Sequence, residues 1–420
     1  MRWPLILILG FTLLSLYAAN TILGTLIPSI SSQFSLTPIE KGAILGGYGF
    51  TYAAMQIPVG FLSDRYEPRK IITLSMFGLF VAALLFSFVA NMLQLLAARL
   101  AMGIAASFLY VDGLKTIEVY YGRNERGRAI GAFSGLGYAG ITTSNLFAQF
   151  FLHSTSLGWR FIYQASILLV LSSVVLCFLY LPSRLLYAKG PTLRKRELTS
   201  AKVEQESSRG SGLSYRKEFL FVIENKFFWI HTMIAFVVFG SLFAVIFWLP
   251  TYFDREGFGI LFGSVATSLV GVGSAVGSII IGLLADKLRN RLPILRVTIA
   301  LYVVLLSLIS YVLVSPGLGL FLMAACFGIG FSQGAMMPNT RIVAELYPKE
   351  VVGTAFGIFN TFGWLGSATF PFLVGVFLNF GLGFSTAFLA MICSLIIILV
   401  STIFSIETGN LGEKVLDRNS

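Results

Sequence analysis

Twelve runs of apolar residues, each long enough to cross a lipid bilayer as a helix, run through this chain of 420 residues. Crossing the hydrocarbon core takes about 20 residues of α-helix. Charged residues make up 12% of the sequence, about half of the roughly 25% that a soluble domain carries. We predict an all-α membrane protein with twelve transmembrane helices, at residues 5–27, 42–63, 71–90, 94–121, 127–152, 159–181, 226–250, 260–285, 294–314, 317–346, 352–379 and 383–406.

The basic residues are distributed unevenly around these spans. Of the 30 lysines and arginines, 24 fall in the N-terminus, the even-numbered connections and the C-terminal tail, which share one side if every span crosses. The other side receives Lys41, Arg160 and Arg255. The positive-inside rule then predicts that both termini are cytoplasmic, in a cell (inner or plasma) membrane. The net charge of +11 follows from this topology and does not indicate binding of nucleic acid.

A polar segment at residues 182–225 separates six spans from six and predicts a cytoplasmic linker of low order. The predicted division is an N-terminal six-helix bundle at 1–181, the linker at 182–225, a C-terminal six-helix bundle at 226–406 and a cytoplasmic tail at 407–420. The two bundles also repeat one another: an offset of 222 maps Asp64 onto Asp286, and an offset of 226 maps Gly131 onto Gly357. Parallel six-helix repeats are typical of secondary transporters whose substrate site lies between the repeats.

Short motifs recur at matching places in the two halves. The loop after span 2 reads GFLSDRYEPRK, a weaker copy GLLADKLRNR follows span 8, and span 4 begins LLAARLAMG. With the layout of six plus six spans, these motifs resemble the major facilitator superfamily over the whole chain. The resemblance implies two pseudo-symmetric six-helix bundles and a gating motif made of Gly60, Asp64, Arg65, Arg69, Arg99, Gly282, Asp286, Lys287, Arg291 and Glu345.

The resemblance also implies contacts for several of these residues. Asp64 would lie at the N-terminus of span 11, near the positive end of the helix dipole. Arg69 would pair with Glu118, and Arg291 with Glu345, as two latches of a cytoplasmic gate. Span 5 lacks the proline-containing stretch that the family's drug antiporters carry, and this absence argues against drug efflux as the function.

The remaining charges inside the membrane lie on spans 4 and 10, and such charges are costly and functional by default. The offset of 226 maps Lys115 onto Arg341, and two cations facing one cavity would bind an anion through charge-assisted hydrogen bonds. Asp112 precedes Lys115 by three residues, so we predict that Asp112 and Glu118 couple transport to protons. The alternatives are that Asp112 and Lys115 form a permanent pair, that Glu118 is a gate partner, and that Arg341 pairs only with Glu345.

Polar and aromatic side chains within the spans are further substrate-binding candidates. They share the ability to hydrogen-bond or stack on a solute, and they are Tyr48, Tyr52, Tyr138, Asn145, Gln333, Asn339, Asn360 and Trp364. Helix packing or anchoring at the lipid interface explains each of them equally well. The two histidines fall in different halves and the three cysteines are scattered, so the sequence predicts no metal site, no cofactor and no enzyme active site.

Together these features predict a secondary active transporter that works as a monomer in the lipid bilayer. Its substrate would be a small organic anion, moved by alternating access with protons in symport. The alternative is a proton-coupled antiporter that exports drugs or metabolites. An exporter of lipophilic cations would need an unpaired carboxylate in its cavity, and Asp112 beside Lys115 is a poor one.

Overall fold

The computed structural model describes residues 3–154, 158–181, 215–288, 290–312, 316–348 and 351–405. Within these ranges the chain is helical and contains no strand. Short turns join most consecutive spans, so neighbouring spans run antiparallel.

In the first half, span 1 comprises Trp3–Thr21 and Leu23–Phe34, span 2 Pro38–Arg65, span 3 Pro68–Ser87, span 4 Met92–Ala106 and Phe108–Tyr120, span 5 Arg123–Ser154 and span 6 Trp159–Tyr180. In the second half, span 7 is Lys226–Arg255, span 8 Gly259–Lys287, span 9 Leu292–Ser307 with the π turn Leu308–Val312, span 10 Gly319–Ser332, Gln333–Ala335 and Met336–Glu345, span 11 Val352–Asn379, and span 12 Gly383–Ser401 with Thr402–Phe404.

Ten of these spans are long and apolar enough to cross a membrane, counted over the described residues. The other two, Pro38–Arg65 and Arg123–Ser154, have 28 and 32 residues but a more polar composition. Both lie where the halves meet, span 2 against span 11 and span 5 against span 8. A helix that faces protein and a polar cavity needs less apolar surface than one that faces lipid. The arrangement fits the predicted twelve-helix fold.

Local sequence signals set several helix ends. Span 2 begins with a capping box, in which Thr37 Oγ1 accepts from the Glu40 amide at 3.4 Å and the Glu40 carboxylate accepts from the Thr37 amide at 2.8 Å. Asn91 caps span 4 through the amide of Gln94 at 3.0 Å. Gly257, in the turn after span 7, has a φ of +85°, which a residue without Cβ adopts readily.

The two halves pack tightly near the turns at 35–37 and 380–382. A Cβ on Gly42 of span 2 would lie 3.0 Å from the carbonyl oxygen of Phe372 in span 11, and one on Gly375 would lie 2.5 Å from the carbonyl oxygen of Pro38. Small residues allow helices in a membrane to approach this closely. We call this side of the molecule the closed end.

The opposite ends of the same two helices are apart. A Cβ added to Gly60 of span 2, or to Gly353 or Gly357 of span 11, would meet no atom within 4 Å. These glycines lie near the turns at 66–67 and 346–348. We call this side the open end, because spans 2 and 11 leave more space between them at these glycines than at the closed end.

Two equivalent spans are interrupted at equivalent residues. Span 4 breaks at Ser107, and span 10 tightens into a 3₁₀ turn at Gln333–Ala335. The repeat offset of 226 maps Ser107 onto Gln333. In each span the segment beyond the break, Phe108–Tyr120 or Met336–Glu345, runs toward the open end.

The structure differs from the sequence prediction at two places. Span 1 continues to Phe34, beyond the predicted end at residue 27, because the polar stretch SISSQF stays helical on the closed end. The last part of the predicted linker is a short helix, Tyr215–Ile223, whose carbonyls at Val222 and Ile223 accept hydrogen bonds from Tyr347 and Trp229. Residues 182–214 of the linker and the predicted tail at 407–420 lie outside the described residues, so the domain boundaries stay predictions.

Candidate functional site

Five aromatic side chains from both halves meet near the middle of their spans. Tyr48 and Tyr52 of span 2 lie against Trp364 of span 11, with ring centroids 6.1 Å and 3.9 Å apart. Phe239 and Phe243 of span 7 contact the same tryptophan at 5.4 Å and 5.6 Å. We call these five residues the aromatic plug. It joins the halves at the depth where the family-like site was predicted.

A second group lies at the same depth on other helices. Tyr138 of span 5 stacks on Tyr17 of span 1 at 5.8 Å and lies near Gln333 and Ser278 of the other half. Neither amide atom of Gln333 has a hydrogen-bond partner among the described residues, and the side chain is fully buried. A buried polar group without a partner needs an explanation, and contact with a bound solute is one such explanation. The roles of Tyr138 and Gln333 in binding a polar solute stay predictions.

Asn360 lies one turn nearer the open end than Trp364 and links the two halves directly. Its Nδ2 donates to Oε1 of Gln56 in span 2 at 2.5 Å. Gln56 in turn donates to the carbonyl oxygen of Tyr52 at 3.2 Å. A solute that takes a hydrogen bond from Asn360 would have to break this contact between the halves.

Two other predicted substrate ligands are engaged in helix packing. Asn145 accepts from Thr25 of span 1 at 2.7 Å and donates to the carbonyl oxygen of Ile141 at 2.7 Å. Asn339 of span 10 interacts through Oδ1 with Nδ1 of His231 at 2.7 Å and donates to the His231 carbonyl oxygen at 3.0 Å. Both amides are fully buried. The structure favours the packing explanation for Asn145 and Asn339.

Arg99 is fully buried and ties three spans of the first half together. Its Nε donates to the carbonyl oxygen of Ile44 at 3.1 Å, and Nη2 donates to Asn20 Oδ1 at 2.8 Å and to the Leu45 carbonyl oxygen at 3.3 Å. Its guanidinium lies 5.2 Å from the centroid of the Tyr48 ring. Arg99 thus contacts one member of the aromatic plug.

The predicted coupling and anion-binding residues follow the break in span 4 and its counterpart in span 10. Asp112 is fully buried and accepts from Ser63 Oγ of span 2 at 2.7 Å. Lys115 and Glu118 are half-buried, whereas Arg341 is exposed. All four lie on the segments that run toward the open end. The pairing of Asp112 with Lys115 and the transport roles of these residues stay predictions.

One of the two predicted latches has the expected contact. Arg291 Nη1 lies 2.5 Å and 2.6 Å from the two carboxylate oxygens of Glu345. The other contact differs: Arg69 donates to the carbonyl oxygen of Phe178 in span 6 and lies 5.8 Å from its ring centroid. The expected pair of Arg69 with Glu118 is not formed between these described residues. Spans 3 and 6 pack against each other, which brings Arg69 at the start of span 3 to Phe178 near the end of span 6.

The rest of the gating motif lies at the open end. Arg65 and Lys287 are exposed in the last turns of spans 2 and 8. A Cβ on Gly282 would touch only Met337, at 3.6 Å. The side chains of Asp64 and Asp286 lie outside the described part, so the predicted contact of Asp64 with span 11 stays a prediction.

Sequence reasoning missed several polar contacts of the spans. Ser63 donates a hydrogen bond to Asp112, and Ser278 lies near Tyr138. His231 bridges Asn339 and Ser405, and its Nε2 lies 2.8 Å from Ser405 Oγ. A serine in an apolar span gives almost no signal, because serines also bond to their own helix. A single buried histidine is a stronger signal, but its partners are far away in the sequence.

Comparison with known proteins agrees with this architecture. The family model of the Major Facilitator Superfamily matches residues 9–371 and again 263–415. A D-galactonate transporter from Escherichia coli is 24% identical over 404 residues, covering 92% of this chain and 91% of that protein. A probable galactarate/D-glucarate transporter from Escherichia coli K12 is 24% identical over 433 residues, covering 96% of this chain and 94% of its own.

Solved structures share the fold. The crystal structure of a D-xylose-proton symporter has a TM-score of 0.72 at 17% identity, covering 97% of this chain and 98% of its own. A bacterial homologue of the human lysosomal transporter Spinster, in an inward-facing and occupied conformation, has a TM-score of 0.71 at 16% identity. The match covers 95% of this chain and 96% of that protein. The chain belongs to the Major Facilitator Superfamily and is a multi-pass membrane transporter, not an enzyme.

Proposed function

We propose that this transporter carries a small organic anion of the sugar-acid class across the cell membrane, with protons, by alternating access. The observation that carries the proposal is the layer of hydrogen-bonding groups at mid-depth, drawn from both halves and including the unpartnered Gln333 amide and Tyr48 hydroxyl. Tyrosine hydroxyls and an amide both donate and accept, which suits a chain of substrate hydroxyls. The relatives named for galactonate and galactarate/glucarate support the same class.

The closed and open ends support alternating access as the mechanism. A site that is reachable from one side only requires the halves to rock before the solute can leave on the other side. Under the predicted orientation, the turns at 66–67 and 346–348 face the cytoplasm. The conformation described here is then inward-facing, and Lys115 and Arg341 line the route by which an anion is released.

The second candidate function is export of drugs or metabolites in exchange for protons. The aromatic plug is the observation that favours it, because stacked aromatic rings also bind lipophilic solutes. Direction and coupling decide between the two functions.

Uptake into proteoliposomes tests the proposal. The purified full chain is reconstituted, and uptake of radiolabelled D-galactonate is measured with and without an inward proton gradient. Galactitol, which has the hydroxyls without the carboxylate, is the matched neutral solute. We expect saturable uptake of D-galactonate that the gradient accelerates and galactitol does not inhibit. Absence of uptake for galactonate, galactarate and glucarate, with export of a lipophilic cation instead, would establish the exporter.

A further inference from the structure

The guanidinium of Arg99 is a deeply buried positive charge with neutral neighbours. Its hydrogen-bond partners in the described part of the chain are the carbonyl oxygens of Ile44 and Leu45 and the amide oxygen of Asn20, and its ring neighbour is Tyr48. None of these groups carries a charge. A cation inside a membrane is normally paired with an anion or lies on a substrate path.

Two donor groups at this place lack acceptors. Arg99 Nη1 and the hydroxyl of Tyr48 are both buried, and neither has a hydrogen-bond partner among the described residues. Arg99 is 0% and Tyr48 1% exposed. A carboxylate has two oxygens and accepts from a guanidinium and a phenol at the same time.

We infer that Arg99 and Tyr48 form the anchor that holds the carboxylate of the transported anion. This inference rests on the proposed function and assigns its anion site to residues other than the predicted pair. Lys115 lies 16 residues beyond Arg99 on span 4, or about 24 Å along the helix axis. A six-carbon acid cannot reach both cations, so Lys115 and Arg341 serve the route toward the open end.

The other half covers this anchor in the present conformation. Trp364 packs on Tyr48 at 6.1 Å and on Tyr52 at 3.9 Å, and it belongs to span 11 of the second half. When the halves part at the closed end, Trp364 moves away with its half and the anchor opens. The anchor therefore binds the anion in the conformation open at the closed end and loses it on conversion to the conformation described here. Such a difference in affinity between two states is what allows a ligand to shift their equilibrium.

Equilibrium binding of radiolabelled D-galactonate to the purified full chain tests the anchor. The variants are Arg99→Gln, Arg99→Lys and Tyr48→Phe. Arg160→Gln is the matched control, since Arg160 is likewise bound to neutral groups, the carbonyl oxygens of Ser87 and Val89 and the amide of Gln33. Melting temperatures without ligand identify any variant that is not folded.

We expect Arg99→Gln to weaken D-galactonate binding at least about tenfold, as loss of a buried charge-assisted contact does. Arg99→Lys should recover part of this loss because it restores the charge. Tyr48→Phe removes one hydroxyl and should weaken binding several-fold even if Arg99→Gln does not fold. Arg160→Gln should bind as the unmodified chain does.

Two results would overturn the inference, and they differ in what else they overturn. If the unmodified chain binds D-galactonate and Tyr48→Phe, together with any Arg99 variant that folds, binds within twofold of it, the anchor is wrong and the proposed function stands. If the unmodified chain binds none of galactonate, galactarate or glucarate, the proposed function fails and the anchor with it.

Discussion

Gly46 offers the sharpest test of how the closed end is built. It lies on span 2 facing span 11, where a Cβ would overlap the carbonyl oxygen of Ala368 and lie 3.2 Å from its carbonyl carbon. A backbone carbonyl cannot rotate away as a side chain does. Gly46→Ala should therefore prevent the two helices from closing fully and should favour the conformation that is open at this end.

The size of the effect follows from the overlap. Inserting a methyl group into a well-packed contact costs typically about 1–3 kcal/mol. Because the contact exists only when this end is closed, the cost acts on the equilibrium between the two conformations. Since about 1.4 kcal/mol corresponds to a factor of ten, the equilibrium should shift by about 5- to 150-fold.

Gly47→Ala is the matched control on the same helix. A Cβ at Gly47 would lie 3.2 Å from Cδ1 of Leu96 in span 4 of the same half, a flexible side-chain end, so this variant keeps the gain in helix propensity without an overlap with the other half. It should leave the equilibrium near that of the unmodified chain. The comparison separates packing between the halves from the stability of span 2 itself.

Distances across the closed end report the outcome. Spin labels are placed at Ser32 of span 1 and at Glu256, the residue that follows span 7; both are exposed and they belong to opposite halves. Double electron–electron resonance then gives the distribution of distances between them, with the exposed Cys393 replaced by serine. Gly46→Ala should move population to the longer distance. An unchanged distribution, or the same change in Gly47→Ala, would refute the reasoning.

Three further predictions concern single contacts. Asp112→Asn should abolish the pH dependence of transport and spare substrate exchange; unchanged proton coupling in proteoliposomes would contradict it. The ion pair of Arg291 with Glu345 is partly exposed, so a double-mutant cycle on thermal unfolding should give a coupling of at most about 1 kcal/mol. His231→Ala leaves Asn339 without its side-chain partner and should lower the free energy of unfolding by about 1–3 kcal/mol, seen as a lower melting temperature, without changing substrate affinity.

The spans and the repeat could be read from the sequence because both depend on local features. Hydrophobic length predicts a crossing wherever it occurs, and the offset of 226 even relates Ser107 to Gln333, the two helix breaks. The prediction was weakest at span 1, which continues past residue 27 through a polar stretch. Hydrophobic length predicts only the part of a helix that lies in the lipid, so it does not predict that the helix continues through a polar stretch outside the lipid.

The candidate site was only partly predictable, because a residue type does not reveal which way its side chain points. Asn145, Asn339 and Asn360 are alike in sequence, yet two of them bond within one half and the third bonds across the halves. The contact of Arg291 with Glu345 could be anticipated from the motif. That of Arg69 could not, because it depends on where span 6 ends, which the motif does not show.

The matching breaks in spans 4 and 10 give this transporter two joints at the same depth. At each joint the regular ladder of backbone hydrogen bonds is interrupted, so bending there is less costly than bending an intact helix. The short arms beyond the joints, Phe108–Tyr120 and Met336–Glu345, can then swing while the longer arms stay in place. Movement of these two segments, one in each half, can thus narrow the space between the halves at the open end before either bundle rotates as a whole.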